Sequence, residues 1–109
     1  MGIDYNADLV YGIKIIDDKL VQGLNEDELE LDRDLDQVWS GSAYSGAEMT
    51  VIVCIKKSRI NMRLYDDPTI ISQKKLIAPT EWHDRLAKWA KENDCSKSQI
   101  GWWLCVSEI

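Results

Sequence analysis

Three short apolar runs, rich in β-branched and aromatic residues, limit the folds open to this chain more than any other feature. They cover residues 8–16 (DLVYGIKII), 50–55 (TVIVCI) and 100–106 (IGWWLCV). This composition is typical of β-strands. A connection with two Gly and three Ser, residues 39–47, precedes the second run, which predicts a hairpin with a long loop.

One amphipathic segment, at about 80–94, predicts the main helix. Its apolar residues recur at helical spacing and form one stripe that faces a sheet. The stripe comprises Trp82, Leu86, Trp89 and Ala90. Thr80 is the predicted N-cap and Asn93 the predicted end. A second, short helix is predicted near 17–24.

The segment 26–38 fits two kinds of element. Its alternation of acids and leucines has the period of a strand, whereas Leu31, Leu35 and Val38 also fit the period of a helix. We favour a strand, because a loop and a second strand follow it.

Together these elements predict an α+β fold in a single domain over residues 1–109. The fold is a small antiparallel or mixed β-sheet of four or five strands, with the main helix packed on one face. With 45% hydrophobic and 29% charged residues, the composition is that of an ordered globular chain.

The cysteines and the N-terminal sequence predict a location. No apolar run reaches the roughly 18 residues of a membrane span, and no secretory signal is recognisable. Cys54, Cys95 and Cys105 are odd in number and show no C-x-x-C spacing, which argues against a disulfide framework or a zinc site. We therefore expect a cytoplasmic protein without a membrane partner.

The charge is distributed unevenly along the chain. Residues 1–50 hold twelve acids and three bases, a balance of −9, whereas residues 51–109 have a balance of +3. Such a chain is a poor candidate for direct nucleic-acid binding and a reasonable one for docking on a basic partner. A strand over 26–36 would present five carboxylates on one face. These are Glu28, Glu30, Asp32, Asp34 and Asp36. The alternative interpretation is a solvated edge strand whose charge prevents aggregation.

Aromatic residues supply candidate anchors for that partner. The chain has five tryptophans, and the adjacent Trp102 and Trp103 point to opposite faces of a strand. One of them must be covered by a second layer or stand exposed. We expect Trp39, Tyr44 and an exposed C-terminal tryptophan, Trp103, to contact the partner.

A nucleotide site is the alternative. The loop at residues 40–46 could offer backbone N–H groups and the hydroxyls of Ser42 and Ser45 to a phosphate. Lys56, Lys57 and Arg59 would supply positive charge. The loop lacks the lysine and the spacing of a P-loop, so a hairpin loop without a ligand is the competing interpretation.

Catalytic, metal and cofactor sites are not predicted. The sole histidine, His83, and the thiol of Cys54 are far apart in sequence, and neither has an evident partner. The run Asp32-x-Asp34-x-Asp36 begins like a calcium loop, but Gln37 and Ala43 replace the required Gly and Glu.

Several short motifs resemble one group of proteins. They are the start Met1–Tyr5, a glycine in the first strand, the Gly-Ser-x-Tyr-Ser-Gly run at 41–46 and the Ile-Gly-Trp-Trp strand at 100–103. The layout is similar to that of small accessory proteins of tailed bacteriophages, most of which have no assigned function. The resemblance implies expression in an infected bacterial cell and carries over no catalytic residues.

What the resemblance implies for function is inhibition of host defence without catalysis. Our leading hypothesis is an inhibitor that contacts a host defence protein, such as a CRISPR or other nuclease effector, through the acidic face. The partner would carry a basic nucleic-acid-binding surface. The alternative is a protein that sequesters a nucleotide signal, and a second alternative is a structural or accessory phage protein. A homo-oligomer is compatible with each.

Overall fold

The computed structural model describes residues 5–26, 29–41, 50–63, 66–95 and 98–108. Within them the chain forms five strands and two α-helices. In chain order these are β1 (Tyr5–Ile15), α1 (Asp18–Asn25), β2 (Leu35–Ser40), β3 (Thr50–Ile55), β4 (Ile60–Arg63), α2 (Thr80–Glu92) and β5 (Ile100–Glu108). Two short 3-10 turns lie at Lys56–Ser58 and Gln73–Leu76. The predicted α+β class is confirmed.

The long strand β1 organises the sheet. It pairs with β5 along residues 5–13, with β4 through residues 6–9 and with β3 through residues 12–15, and all three pairings are antiparallel. Strand β5 occupies one edge of β1. The other edge of β1 is therefore shared by β3 and β4. Strand β2 pairs with β3 and completes the antiparallel sheet.

The sheet curls so that its outer strands, β2 and β5, approach each other. The N–H of Gly41, just after β2, donates to the carbonyl of Val106 on β5 at 2.9 Å. Gly41 has a φ of 118°, a conformation that glycine adopts without a steric penalty. The inner face of the curl encloses a small apolar cluster. Its buried members are Val10, Val38, Ile52, Cys54 and Cys105.

The two helices cover the outer face of the sheet over the second half of β1. Buried residues of β1 and β3 meet Leu24 of α1 and the stripe of α2 in the larger core. Leu86, Trp89 and Ala90 are buried and Trp82 packs beside them, so the predicted stripe is confirmed. Within the residues that the structure describes, no helix is long and apolar enough to cross a membrane.

Short polar residues stand at two of the helix ends, the start of α1 and the end of α2. Asp17 caps α1 and accepts hydrogen bonds from the backbone N–H groups of Lys19 and Leu20. Asn93 ends α2 as predicted. The predicted N-cap of α2 is wrong: Thr80 is already helical, and Pro79 occupies the cap position without a side-chain bond. The extended backbone of proline stops the helix one residue before Thr80.

The strand predicted over 26–38 is confirmed only at its end, because β2 covers Leu35–Ser40. Residues 29–34 have no strand structure, a turn lies at residues 33–34, and β2 begins only at Leu35. The reason is the register of the hairpin. Leu35 pairs with Ile55, the last residue of β3, so earlier residues have no neighbouring strand to satisfy their backbone groups. Glu28 lies outside the described residues.

Candidate functional site

The acidic segment does not form a ladder of free carboxylates. Arg85 of α2 donates from Nε to Asp34 at 2.8 Å, and one terminal nitrogen, Nη2, donates to both Asp32 and Asp34. Arg59 donates to Asp36 at 3.0 Å. Glu30 is exposed. Three of the five predicted partner-binding acids are therefore paired with arginines from other elements.

These pairs change the local electrostatics. Hydrogen bonding and charge from Arg85 hold the pKa of Asp34 below its ordinary value of 3.8. The carboxylate is thus ionised well into the acid range, but its charge is compensated by the arginine. The segment presents less net negative charge than the sequence implies.

A polar network at one end of the curl ties three strands together. Asp8 of β1 is buried and accepts hydrogen bonds from Arg59 Nε at 2.8 Å, Asn61 Nδ2 at 2.9 Å and Asn6 Nδ2 at 3.0 Å. Arg59 also reaches Asp36 on β2. Satisfying every oxygen of a buried carboxylate in this way is the requirement for keeping it charged. The network holds the strands together, and the positive charge of Arg59 is compensated within it by Asp8 and Asp36.

A cleft lined by several basic residues lies next to this network and is open to solvent. The cavity has a volume of about 350 Å³ and lies between the end of β3 with its 3-10 turn and the segment that leads into α2. We call it the basic cleft. Its chemically distinctive lining residues are Lys57, Arg59, Lys74, Lys75, Trp82 and Trp102.

The indoles of the basic cleft belong to an aromatic cluster on the outer face of the sheet. The ring of Trp102 lies 5.5 Å from that of Tyr11 and 6.4 Å from that of Trp82, both in edge-on geometry. Trp102 Nε1 also donates to the carbonyl of Leu76 at 2.8 Å. This bond fixes the 3-10 turn that carries Lys74 and Lys75 beside the aromatic rings.

The positive charge of the basic cleft is largely uncompensated. Lys57, Lys74 and Lys75 are exposed, and none forms an ion pair with another residue that the structure describes. Over the same part of the chain, no carboxylate lines the cavity. Ammonium groups beside indoles can bind an anion while the rings contact an aromatic or apolar body.

The predicted nucleotide residues are only partly brought together. Lys57 and Arg59 line the basic cleft, whereas Lys56 is exposed and is not among its lining residues. Ser42 and Ser45, together with the predicted partner anchor Tyr44, lie outside the described residues. Sequence reasoning missed the role of the Lys74–Lys75 pair, although two adjacent lysines before an apolar pair are a visible signal.

Two of the three predicted aromatic anchors, Trp39 and Trp103, are half-buried. Trp39 is half-buried against the larger core and lines a second, open cavity of about 730 Å³ beside α1. Trp103 is half-buried against the inner cluster, and its Nε1 donates to the carbonyl of Gly12 at 3.0 Å. The curl of the sheet supplies the second layer that covers it. Trp103 is therefore half-buried, contrary to the expectation that it is exposed.

The groups considered for catalysis lie on opposite sides of the sheet. Cys54 belongs to the inner cluster, where burial raises the pKa of its thiol to about 12. That thiol is protonated at neutral pH and a poor nucleophile. His83 is exposed on α2, with Asp84 at 4.0 Å. No group of three His, Cys, Asp or Glu side chains suited to a metal ion occurs in the described ranges.

Comparisons of the chain with protein-family models, with curated proteins and with solved structures give no match. The resemblance to phage accessory proteins therefore stays a prediction. The residues that line the basic cleft are therefore the basis on which a function is proposed.

Proposed function

We propose that this protein binds, without catalysis, a ligand of the nucleotide class in the basic cleft. The observation that carries the proposal is one cavity lined by two indole rings and three exposed lysines, which form no ion pair with another described residue. Its volume of about 350 Å³ lies within the range of small-molecule sites. Lys57 is one of the residues that the sequence predicts to bind a nucleotide. Lys74 and Lys75 add two further positive charges to the same cleft.

The two halves of a nucleotide match the two kinds of side chain. Lysine ammonium groups pair with phosphate oxygens as compact point charges. An aromatic base against an indole contributes roughly 1–3 kcal/mol by stacking. Neither the lysines nor the indoles alone select a nucleotide. Free phosphate would bind to the lysines, and any apolar molecule would pack against the indoles.

The charge of the whole chain favours a small ligand over a nucleic acid. The net charge of −6 repels a long polyanion, whose binding depends on an extended basic surface. A mononucleotide or a cyclic dinucleotide needs only the local field of the basic cleft. The ligand class is therefore a small nucleotide.

The biological role follows from the resemblance to phage accessory proteins. Bacterial defence systems that signal through nucleotides are disabled by a protein that binds the signal in stoichiometric amount. We propose that this protein acts in that way in the cytoplasm of an infected cell. The proposal requires expression at a concentration comparable with that of the signal.

The test is a binding titration followed by intrinsic tryptophan fluorescence, with ATP and a cyclic dinucleotide as probes. We expect quenching, because Trp82 and Trp102 line the cleft. The double variant Lys74→Ala/Lys75→Ala should bind at least about ten-fold more weakly, a loss of roughly 1.4 kcal/mol. The matched control is Lys88→Ala/Lys91→Ala, which removes two exposed lysines of α2.

Two results would contradict the nucleotide proposal. One is the absence of binding by either probe at millimolar concentration. The other is an equal loss of affinity in the control, since the effect would then come from total charge rather than from the cleft.

Direct contact with a basic host defence protein is a second candidate function. Its supporting observation is the exposure of the Asp32 carboxylate, whose side chain is 70% exposed although it is paired with Arg85. An inhibition assay at two salt concentrations separates the candidates. The variant Glu30→Gln/Asp32→Asn/Asp34→Asn should lose inhibition under the contact hypothesis, most clearly at low salt. Full inhibition by it at both salts would remove this candidate.

A further inference from the structure

An apolar surface lies on the outer face of β4, β1 and β5, beyond the part that the helices cover. Cross-strand pairing places its residues in two rows of three, one residue per strand. The rows are Ile60–Leu9–Leu104 and Met62–Ala7–Val106. We call this surface the outer apolar face. Tyr5 extends it along β1, two residues before Ala7 on the same side of the strand.

The outer apolar face is open to solvent. Leu104 is 73% exposed, Val106 49% and Tyr5 45%, and the other four residues are half-buried. None of its seven named residues is charged, and Glu108, which pairs with Tyr5, lies at its edge. Single exposed apolar residues are ordinary, but a contiguous apolar surface on three paired strands indicates an interaction site.

We propose that a second copy of this chain covers the outer apolar face, so that two sheets pack face to face. The first argument is area. The face leaves on the order of 500 Å² open, and two copies would then bury about 1,000 Å², the lower limit for a specific interface. This predicts a reversible dimer of modest affinity. The outer apolar face adjoins the basic cleft at Ile60, which lines both, but none of the cleft lysines belongs to the face.

The second argument is that the face is complementary to itself. A two-fold axis perpendicular to the strands sets the row Ile60–Leu9–Leu104 of one copy against the row Met62–Ala7–Val106 of the other. Leu9 then meets Ala7, the smallest residue of the face, so a large side chain lies over a hollow. An isologous interface requires such a match of one surface with itself.

This arrangement must also leave room for the helices. They cover the sheet from Tyr11 of β1 onward, where Trp82 packs near Tyr11, whereas the outer apolar face lies around residues 7 and 9. The same axis sets Tyr11 of one copy opposite Tyr5 of the other, so the helices of each copy lie over the end of the other sheet. The two sheets therefore contact each other only through the outer apolar face.

The charge of the chain disfavours a lipid surface as the occupant. Anionic headgroups attract basic segments, whereas this protein has a net charge of −6. Two like-charged copies also repel each other, so raising the salt concentration should strengthen the dimer. Attraction to a basic partner would show the opposite dependence on salt.

The test is sedimentation equilibrium of the full chain from micromolar to near-millimolar concentration. We expect a monomer–dimer equilibrium for the wild type. Leu104→Asp should weaken it at least about ten-fold, because two carboxylates would be buried in each dimer. The matched control is Ile70→Asp, since Ile70 is 95% exposed and lies outside the face. It should dimerise like the wild type.

Folding of the variants is checked by circular dichroism, and Val106→Lys serves as a second variant if Leu104→Asp does not fold. A wild type that stays monomeric at all concentrations would overturn the proposal, as would a folded Leu104→Asp protein that dimerises normally. Sedimentation of a monomeric wild type with zwitterionic vesicles would assign the face to lipid instead.

Discussion

Two arginine side chains decide how the acidic half of the chain presents its charge. Arg85 binds Asp32 and Asp34, and Arg59 binds Asp36 together with the buried Asp8. Each arginine lies at least 23 residues from the carboxylates it binds. Pairing of this kind converts a repulsive acidic run into a set of cross-links between elements.

The first prediction concerns the pH dependence of the Arg85–Asp34 pair. Arg85 lowers the pKa of folded Asp34 below 3.8, so its stabilisation is complete above pH 3.8 and is lost as the pH falls through the lower folded value. In Arg85→Gln, the pKa of Asp34 should return toward 3.8 and the acid limb of the stability curve should flatten. Because the Asp34 side chain is 52% exposed and water screens the pair, the loss of stability at neutral pH should stay below about 1 kcal/mol.

Carboxyl NMR titration measures the pKa, and urea denaturation across the acid range measures the stability. Lys88→Gln, which removes an exposed cation elsewhere on α2, is the control. An Asp34 pKa that is the same in the wild type and in Arg85→Gln would show that the pair is absent in solution.

At the scale of elements, α2 is held by its apolar stripe rather than by its caps. Its N-cap is a proline without a side-chain hydrogen bond, whereas Leu86, Trp89 and Ala90 are all buried. Most helical stability in proteins comes from such packing of one face. The helix therefore depends on the sheet beneath it.

The second prediction tests that dependence. Trp89 is 4% exposed, so Trp89→Ala removes an almost fully buried indole and should cost roughly 3–5 kcal/mol of unfolding free energy. Lys88→Ala, at the exposed neighbouring position, should change stability by no more than about 0.5 kcal/mol. Urea denaturation followed by circular dichroism measures both. A Trp89→Ala protein with an unchanged denaturation midpoint would refute the assigned helix face.

For the whole molecule, the curl of the sheet depends on groups that are distant in sequence. The outer strands meet through the Gly41–Val106 bond, and the Asp8–Arg59–Asp36 network links β1 to β2 at the same inner face. This bond and this network together hold the sheet closed around the inner cluster. Loss of the network should loosen this face more than the helix-covered one.

The third prediction is the effect of Arg59→Met. Asp8 would keep its two asparagine donors but lose its only cationic partner among the described residues. We expect a loss of roughly 1–3 kcal/mol, below the cost of a fully buried pair because Arg59 is partly solvated. Arg63→Met, at an exposed position of β4, is the control. Chemical denaturation gives the free energies, and hydrogen exchange should show faster opening of β2 than of α2 in Arg59→Met. Equal stability of the two variants would contradict this role.

The sequence by itself determined the elements that depend on local pattern. The apolar runs became β1, β3 and β5, the helical stripe became α2, and the short helix predicted near 17–24 became α1. Each depends on side chains a few residues apart, whose spacing already states which face is buried. The four-residue strand β4 was missed because so short a segment carries too little pattern.

Only the tertiary structure decided the start of β2, the curl and the two candidate surfaces. The limit of β2 depends on where β3 stops, and the burial of Trp103 depends on the closing of the sheet around it. Lys57 and Trp102 line one cleft because β1 pairs with three strands at once. A contact between residues that far apart in the chain is set by the path of the backbone, which no local spacing records.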